Sequence, residues 1–100
     1  MHANLPITLD EAKIAQFCRE RGIRKMSLFG SVVRDDFDPV RSDVDVLVEF
    51  LPGHIPAWEF FRWGEELRAL IGRKVDLHSK LGQRLEAHVR PDLMTVYEQA

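Results

Sequence analysis

An eight-residue stretch, DVDVLVEF at positions 43–50, restricts the fold of this 100-residue chain more than any other feature of its sequence. Apolar residues occupy every second position from Val44 to Phe50. Because successive side chains on a strand point to opposite faces, this period of two predicts a β-strand with one buried face. Asp43 and Asp45 fall together on the opposite face.

Helices and strands are predicted to alternate along a single domain that occupies residues 1–100. Thr8 and Glu11 have the T-x-x-E spacing of a capping box, so a helix is expected to begin there. It should end near Arg21, where Gly22 is free to adopt a left-handed conformation. The fold class is therefore α/β (α+β). The other predicted elements are strands over 23–29, 43–50, 74–78 and 93–97, a short helical turn after Ser31, and helices over 57–71 and 81–89.

The bulk composition argues against several classes of function. The 14 Lys and Arg residues are opposed by 16 Asp and Glu residues, giving a net charge of −2. A protein that binds duplex nucleic acid usually has a basic excess or stripe, so that role is disfavoured. Cys18 is the only cysteine, which excludes an intrachain disulfide and favours a reducing, cytoplasmic location. We expect no membrane association, because the sequence has no secretory signal and no apolar stretch of the roughly 18–20 residues that span a bilayer.

Asp43 and Asp45 form a candidate metal site. Strand residues two positions apart have Cα atoms roughly 6.5–7 Å apart, from a rise of about 3.3 Å per residue, so both carboxylates can converge on one cation. Mg²⁺ prefers oxygen ligands and commonly binds one or two protein carboxylates together with water and substrate phosphates. The competing interpretation is structural, because an Asp ahead of a strand often caps a turn or is simply solvated.

Gly30 and Ser31 form a candidate phosphate-binding turn after the apolar strand 23–29. A glycine lets a phosphate approach the backbone closely, and amides at a helix start together with the serine hydroxyl offer hydrogen bonds. A simple strand-to-helix turn with Ser31 as the N-cap explains the same two residues.

Asp76 is a candidate third acid, since it lies between two apolar residues in the predicted strand 74–78. If that strand pairs beside 43–50, three carboxylates meet over one end of the sheet, an arrangement that is costly unless a cation neutralises it. The alternative is an exposed Asp76 paired with Lys74 or Arg73.

The segment LFGSVVRDDFDPVRSDVDVLVEF resembles the G-S-x(n)-D-x-D signature of the DNA polymerase β-like nucleotidyltransferases, with eleven residues between Ser31 and Asp43. The order of elements is similar to that of the small minimal nucleotidyltransferase (MNT) proteins over nearly the whole chain. The resemblance implies a polymerase β-like nucleotidyltransferase fold, with a small mixed sheet of about four strands flanked by helices. It also implies an enzyme that transfers a nucleotide.

The resemblance assigns the catalytic and metal-binding roles to Asp43, Asp45 and Asp76. Mg²⁺ would be the cofactor, with Mn²⁺ as an alternative, and ATP would be the substrate. Asp43 and Asp45 would ligate the metal ions, while Asp76 would ligate the second metal and help to activate the acceptor hydroxyl.

The resemblance assigns nucleotide binding to Gly30, Ser31 and Arg34. Ser42 adjoins the D-x-D pair and is near enough in sequence to reach a triphosphate, as is Arg41, although turn chemistry explains both equally well. Asp35 departs from the family pattern, because a glycine is expected after the arginine. An acid near phosphates would weaken binding unless its side chain points to solvent.

The resemblance implies a HEPN-domain toxin as the partner, with this chain acting as an antitoxin that transfers AMP to a tyrosine of that partner. The aromatic-rich stretch from Trp58 to Trp63 is a candidate docking surface, although most of it is expected to be core. Exposed edge strands on so small a sheet also make a homodimer plausible.

Two other functions stay open on the sequence. The second hypothesis is a binding module that neutralises its partner by occlusion, without catalysis. The presence of both Asp43 and Asp45 favours an active transferase, whereas Asp35 favours the binding module. A nucleotidyltransferase with a small-molecule or RNA acceptor is the third hypothesis. It is disfavoured because no added substrate domain and no basic stripe is evident in the sequence.

Overall fold

A computed structural model describes residues 7, 9–33, 38, 43–54, 56–79 and 93–99 of the protein. The predicted helix over 81–89 lies outside these residues, as do Thr8, Arg34, Asp35, Arg41 and Ser42. The elements within them are α1 (Glu11–Glu20), β1 (Ile23–Phe29), a 3₁₀ helix (Gly30–Val33), β2 (Val44–Phe50), α2 (Phe60–Ile71), β3 (Val75–His78) and β4 (Met94–Glu98).

The four strands form one mixed sheet in the order β3-β2-β1-β4. β1 is antiparallel to both β2 and β4, whereas β2 and β3 run parallel. The parallel pair requires a crossover, and α2 supplies it because it lies between β2 and β3 in the sequence. The predicted α/β class and the small mixed sheet are therefore confirmed.

One face of the sheet carries the main hydrophobic core. The inward residues of β2 are Val44, Val46 and Val48, all fully buried, and they pack in one cluster with residues of both helices. α1 contributes Ile14, Phe17 and Cys18, and α2 contributes Trp63, Leu67 and Ile71, each set at helical spacing. The opposite face has a smaller apolar cluster of Phe29, Leu47 and Leu93. Asp45 therefore projects away from the main core, as the strand pattern predicts.

Helix α1 begins with a different cap from the predicted one. Asp10 is the N-cap, and its side-chain Oδ1 accepts a hydrogen bond of 3.1 Å from the backbone N–H of Lys13. Glu11 is consequently the first helical residue rather than the third. An ionised Asp at this position both satisfies a free amide and interacts favourably with the helix dipole. The predicted end is confirmed, since Arg21 is the C-cap and Gly22 has a φ of 68°.

Helix α2 begins three residues after its predicted start at Ala57. The backbone N–H of Phe60 donates to Ala57 O, and that of Phe61 donates to Trp58 O, so this entry segment has the i→i+3 bonds of a tighter turn. Gly72 follows the helix with a φ of 80° and donates its N–H to Arg68 O, so the helix ends at Ile71 as predicted. No helix within the described residues is long and apolar enough to cross a membrane.

Cys18 provides a test of the core that packs α1 against the sheet. Its side chain has no exposed surface, and burial raises the pKa of the thiol from 9.0 to about 12, although Arg21 and Arg19 act in the opposite direction. The unfolded thiol ionises first as pH rises, so this group's contribution to stability is intact below pH 9.0 and is lost progressively toward pH 12.

We predict that ionisation of Cys18 lowers the free energy of unfolding by about 1.4 kcal/mol between about pH 8 and about pH 10. Urea unfolding of the native chain and of Cys18→Ala at both pH values measures the contribution of the thiol to the free energy of unfolding, since the variant retains every other titrating group. The native thiol should also resist alkylation near neutral pH until the chain unfolds. An equal loss of stability in both proteins would contradict the prediction.

Candidate active site

The turn after β1 is shaped by a glycine that closely approaches an acidic side chain. Gly30 has a φ of 77°, which is a left-handed conformation that side chains rarely adopt. Phe29, the preceding residue, is the antiparallel partner of Asp45. A Cβ atom placed on Gly30 would overlap Oδ2 of the Asp45 carboxylate. Glycine is therefore required here both for the backbone conformation and for the space that it leaves to Asp45.

Ser31 follows at the start of the 3₁₀ helix and is half-buried. The chain thus turns directly from a buried strand into a short helical segment, beside the carboxylate of Asp45. The predicted Gly-Ser turn is in the predicted place, and it adjoins the acidic strand β2.

Asp45 and Asp76 are aligned by the pairing of β2 with β3. In the parallel register Asp45 is the direct partner of Asp76. Neighbouring strands lie about 4.8 Å apart, so two residues paired in this way present their side chains side by side on one face. The predicted meeting of the D-x-D strand with the strand of Asp76 is therefore observed.

His78 joins the two carboxylates at this site. Its Nε2 lies 3.2 Å from Oδ2 of Asp76, and its ring centroid lies 5.4 Å from that of Phe29. Asp45, Asp76 and His78 can each offer one ligand atom, and these atoms all lie within 4.8 Å of one another. Among the described residues, this is the group of three whose donor atoms converge closely enough to hold one metal ion.

The chemistry of these donors fits a divalent cation. Two carboxylates held on adjacent strands repel each other unless a positive charge lies between them, and an imidazole nitrogen is a common ligand of divalent ions. The site is accessible from solvent, since the side chain of Asp76 is 55% exposed and that of His78 is 31% exposed. Partners from solution can therefore reach the carboxylates.

The predicted site residues divide into three sets. Gly30, Ser31, Asp45 and Asp76 are brought together. Asp43 immediately precedes β2 and is half-buried, but it does not belong to the converging group. Arg34 and Ser42 lie outside the described residues.

His78 is not predicted as a ligand from the sequence, because the histidines show no metal-ligand spacing and a surface or hydrogen-bonded histidine is the expected role. Strand periodicity is the sequence feature that could have identified it, because a residue two positions after Asp76 on the same strand lies on the same face as Asp76. His54, in contrast, lies at the other end of β1. It packs so closely against Gly22 that a Cβ on that glycine would overlap the imidazole ring.

A separate cleft of about 640 Å³ lies at that other end and is not a candidate active site. Arg21 lines it and pairs with Glu66 at 2.9 Å and with Glu20 at 3.5 Å. The Arg21 guanidinium also lies 3.9 Å from the centre of the Phe17 ring. The pair with Glu66 ties the end of α1 to α2, so the contacts of Arg21 in this cleft have a structural role.

Comparison with known proteins identifies the family. The family model described as a nucleotidyltransferase domain matches residues 11–97. A protein of solved structure described as a minimal nucleotidyltransferase is 29% identical, with a TM-score of 0.68, over 84% of this chain and 86% of the other. No curated protein matches the sequence.

Two further solved structures share the fold at lower identity. A toxin–antitoxin complex with AMP-PNP has a TM-score of 0.72 at 20% identity, covering 91% of this chain and 75% of the other. A complex of the tri-AMPylated Shewanella oneidensis HEPN toxin with its MNT antitoxin has a TM-score of 0.64 at 18% identity, covering 89% and 70%. The family model matches most of the chain, and the Gly30-Ser31 turn lies beside Asp45 and Asp76 in the structure. This chain therefore belongs to the nucleotidyltransferase domain family.

Proposed function

We propose that this protein transfers AMP from ATP to a tyrosine hydroxyl of a HEPN-domain partner, and so acts as the antitoxin of a toxin–antitoxin pair. The observation that carries the proposal is the register of Asp45 with Asp76, beside the turn at Gly30. The solved relatives support the choice of nucleotide and partner, since one is a complex with AMP-PNP and another pairs an MNT antitoxin with an AMPylated HEPN toxin.

Asp45 and Asp76 would hold Mg²⁺ or Mn²⁺, and Asp43 would complete the acidic set from the start of β2. When bound, such an ion neutralises phosphate charge and lowers the pKa of an attacking hydroxyl. The donors fit this task because they are oxygen atoms on two hydrogen-bonded strands, whose separation is set by the sheet.

Gly30 and Ser31 would receive the terminal phosphates of ATP. The absence of a side chain at Gly30 leaves room for the Asp45 carboxylate, so a cation held by Asp45 would lie beside this turn. The Ser31 hydroxyl can donate a hydrogen bond to a phosphate oxygen. Arg34, which follows this turn in the sequence, and Ser42, which precedes the D-x-D pair, are proposed to support the triphosphate.

Asp76 is proposed to receive the acceptor hydroxyl. In the transfer, a bond forms between the tyrosine oxygen and the α-phosphorus of ATP, and the bond from that phosphorus to the bridging oxygen of pyrophosphate breaks. The hydroxyl proton passes to a carboxylate oxygen of Asp76 and from there to solvent, which reaches this exposed side chain. No covalent intermediate on the protein is needed.

Two alternatives remain distinct from this reaction. A binding module would use the same fold to occlude its partner without transfer, and Asp35 in place of the expected glycine favours it. A transferase with a small-molecule or RNA acceptor would keep the chemistry and change the partner. A homodimer also stays a prediction. It would pair through β3 or β4, which are the outer strands of the described sheet.

The aromatic stretch offers a docking surface for the HEPN-domain partner. Trp63 is buried and Phe60 is half-buried, whereas Trp58 and Phe61 are 67% and 82% exposed. Phe61 also lines a groove of about 280 Å³ between α2 and β3. Trp58 and Phe61 together form the proposed docking patch. Val75 and Leu77 of β3 line the same groove as Phe61, so the patch adjoins β3 on the face opposite to that of Asp76.

Transfer is predicted to depend on both paired acids. With labelled ATP, Mg²⁺ and candidate HEPN-domain proteins of the same genome, intact mass should show added AMP on the partner. Asp45→Asn and Asp76→Asn should each lower the rate at least about 100-fold, since metal ligation supplies several kcal/mol of transition-state stabilisation.

Glu49→Gln is the matched control for this assay, because Glu49 lies on the same strand and its exposed pair with Arg24 has little energetic weight. A stable complex without any transfer of AMP would instead establish the binding module. Transfer to a small molecule or RNA, and not to the partner, would establish the third function.

Gly30→Ala is predicted to impair metal binding far more than it impairs folding. Gly53→Ala is its control, since Gly53 also has a positive φ of 80° but has open space where the Cβ would be. Both variants should lose about 1–2 kcal/mol of stability from the left-handed backbone. Only Gly30→Ala should weaken Mn²⁺ binding, measured by titration in an electron paramagnetic resonance assay, because only there would the methyl group displace Asp45. Equal Mn²⁺ affinity in the two variants would contradict the role of Gly30.

Partner binding is predicted to depend on the patch of Trp58 and Phe61. Replacing both residues by serine should weaken binding to the HEPN-domain partner at least about 30-fold, as expected when central aromatic contacts are removed. The stability of the isolated chain should change little, because both side chains are exposed. Ala12→Ser, on the exposed side of α1, serves as the control. Calorimetric titration that gives equal affinities for the two variants would exclude this surface.

A further inference from the structure

His78 lies in a position that suits direct metal ligation. It follows Asp76 by two residues on β3, so the two side chains share one face of the sheet. The distance of 3.2 Å from its Nε2 to Oδ2 of Asp76 is close to that between adjacent ligands of one ion, since ligands roughly 2.1 Å from a metal at right angles lie about 3.0 Å apart. The donor atom of Asp45 completes the group within 4.8 Å.

The imidazole ring is held in place by its apolar neighbours. The ring of Phe29, which is only 6% exposed, packs against it at a tilt of 58°. Leu47, which is 7% exposed, is the partner of His78 in the β2–β3 register. A ligand whose orientation is already restricted loses less conformational entropy when it binds.

A donor set of two carboxylate oxygens and one imidazole nitrogen has a different metal preference from carboxylates alone. Mg²⁺ gains little affinity from a nitrogen ligand. Imidazole strengthens the binding of first-row transition ions, and the affinity of a given site is higher for Co²⁺ than for Mn²⁺. We propose that His78 ligates a divalent ion through Nε2 together with Asp45 and Asp76, so that this site binds transition ions in preference to Mg²⁺. The inference rests on the metal-dependent function proposed above, and concerns which ion the site selects.

A hydrogen bond from Nε2 to Asp76 would instead make His78 a positioning residue that only orients the carboxylate. The two roles differ in their effect on ion selectivity. Loss of an orienting contact weakens every ion that Asp76 holds, whereas loss of a nitrogen ligand weakens transition ions and leaves Mg²⁺ nearly unchanged.

The test is calorimetric titration of the full chain with Co²⁺ and with Mg²⁺, combined with the visible absorption bands of bound Co²⁺. The wild-type chain should bind Co²⁺ more tightly than Mg²⁺. His78→Ala and His78→Gln should weaken Co²⁺ binding about 10–100-fold and shift its bands, while Mg²⁺ affinity changes by less than about threefold. His54→Ala, at the other end of β1, should match the wild type. Unchanged thermal unfolding of both His78 variants verifies that each retains the fold.

Equal loss of Co²⁺ and Mg²⁺ affinity in the His78 variants would overturn ligation and assign a positioning role. Unchanged Co²⁺ binding, or no preference for Co²⁺ in the wild type, would also overturn it. The glutamine variant sharpens the result, since its amide can still hydrogen-bond to Asp76 but lacks an imidazole nitrogen. These titrations contain no ATP and no partner, so their outcome does not depend on whether the chain transfers AMP.

Discussion

The pairing of β2 with a neighbour on each side is the constraint on which the rest of this structure depends. Hydrogen bonds to β1 place Asp45 opposite Phe29, and those to β3 place it opposite Asp76. A shift of one residue in either register would turn these side chains to the wrong face, because the strand period is two. The buried valines of β2 hold the register, since they would then have to leave the core. The hydrophobic core therefore positions the acidic groups from the opposite face of the sheet.

The glycine turn depends on the same pairing. Gly30 directly follows the residue paired with Asp45, so the end of β1 and the acidic strand approach each other closely. A chain that lacks a side chain at this point can bring its backbone and a carboxylate together, which is the arrangement that a phosphate with a bound cation requires. The turn and the acids are thus parts of one local geometry rather than two motifs that happen to be near.

Much of this fold follows from local patterns in the sequence. Strand periodicity predicts β1 and β2 closely, and glycines predict the ends of both helices, because these features depend on a few adjacent residues. The start of α2 is less predictable, since an entry turn with i→i+3 bonds and a regular helix accept similar residues. The N-cap of α1 is Asp10 rather than the predicted Thr8. Both residue types are good caps, and only the completed hydrogen bond to Lys13 distinguishes them.

The composition of the site was harder to predict than its location. Asp45, Asp76 and the Gly30 turn could be recognised from strand phase and from a familiar spacing. His78 required knowledge of which strand lies beside β2, and pairing between distant segments is not encoded in any short pattern. The absence of Asp43 from the converging group likewise depends on the path of the chain at the start of β2.

The two faces of the sheet separate the demands of folding from those of chemistry. Residues that pack the core and residues that present donor atoms alternate along the same strands, so a substitution among the donor residues leaves the core in place. Such a division lets ligand positions diverge during evolution at little risk to stability. A lineage with this scaffold can alter its metal, adopt a new acceptor or lose catalysis altogether while it keeps a folded surface for a partner. The active and the purely binding forms of such a protein are thus neighbours in sequence space.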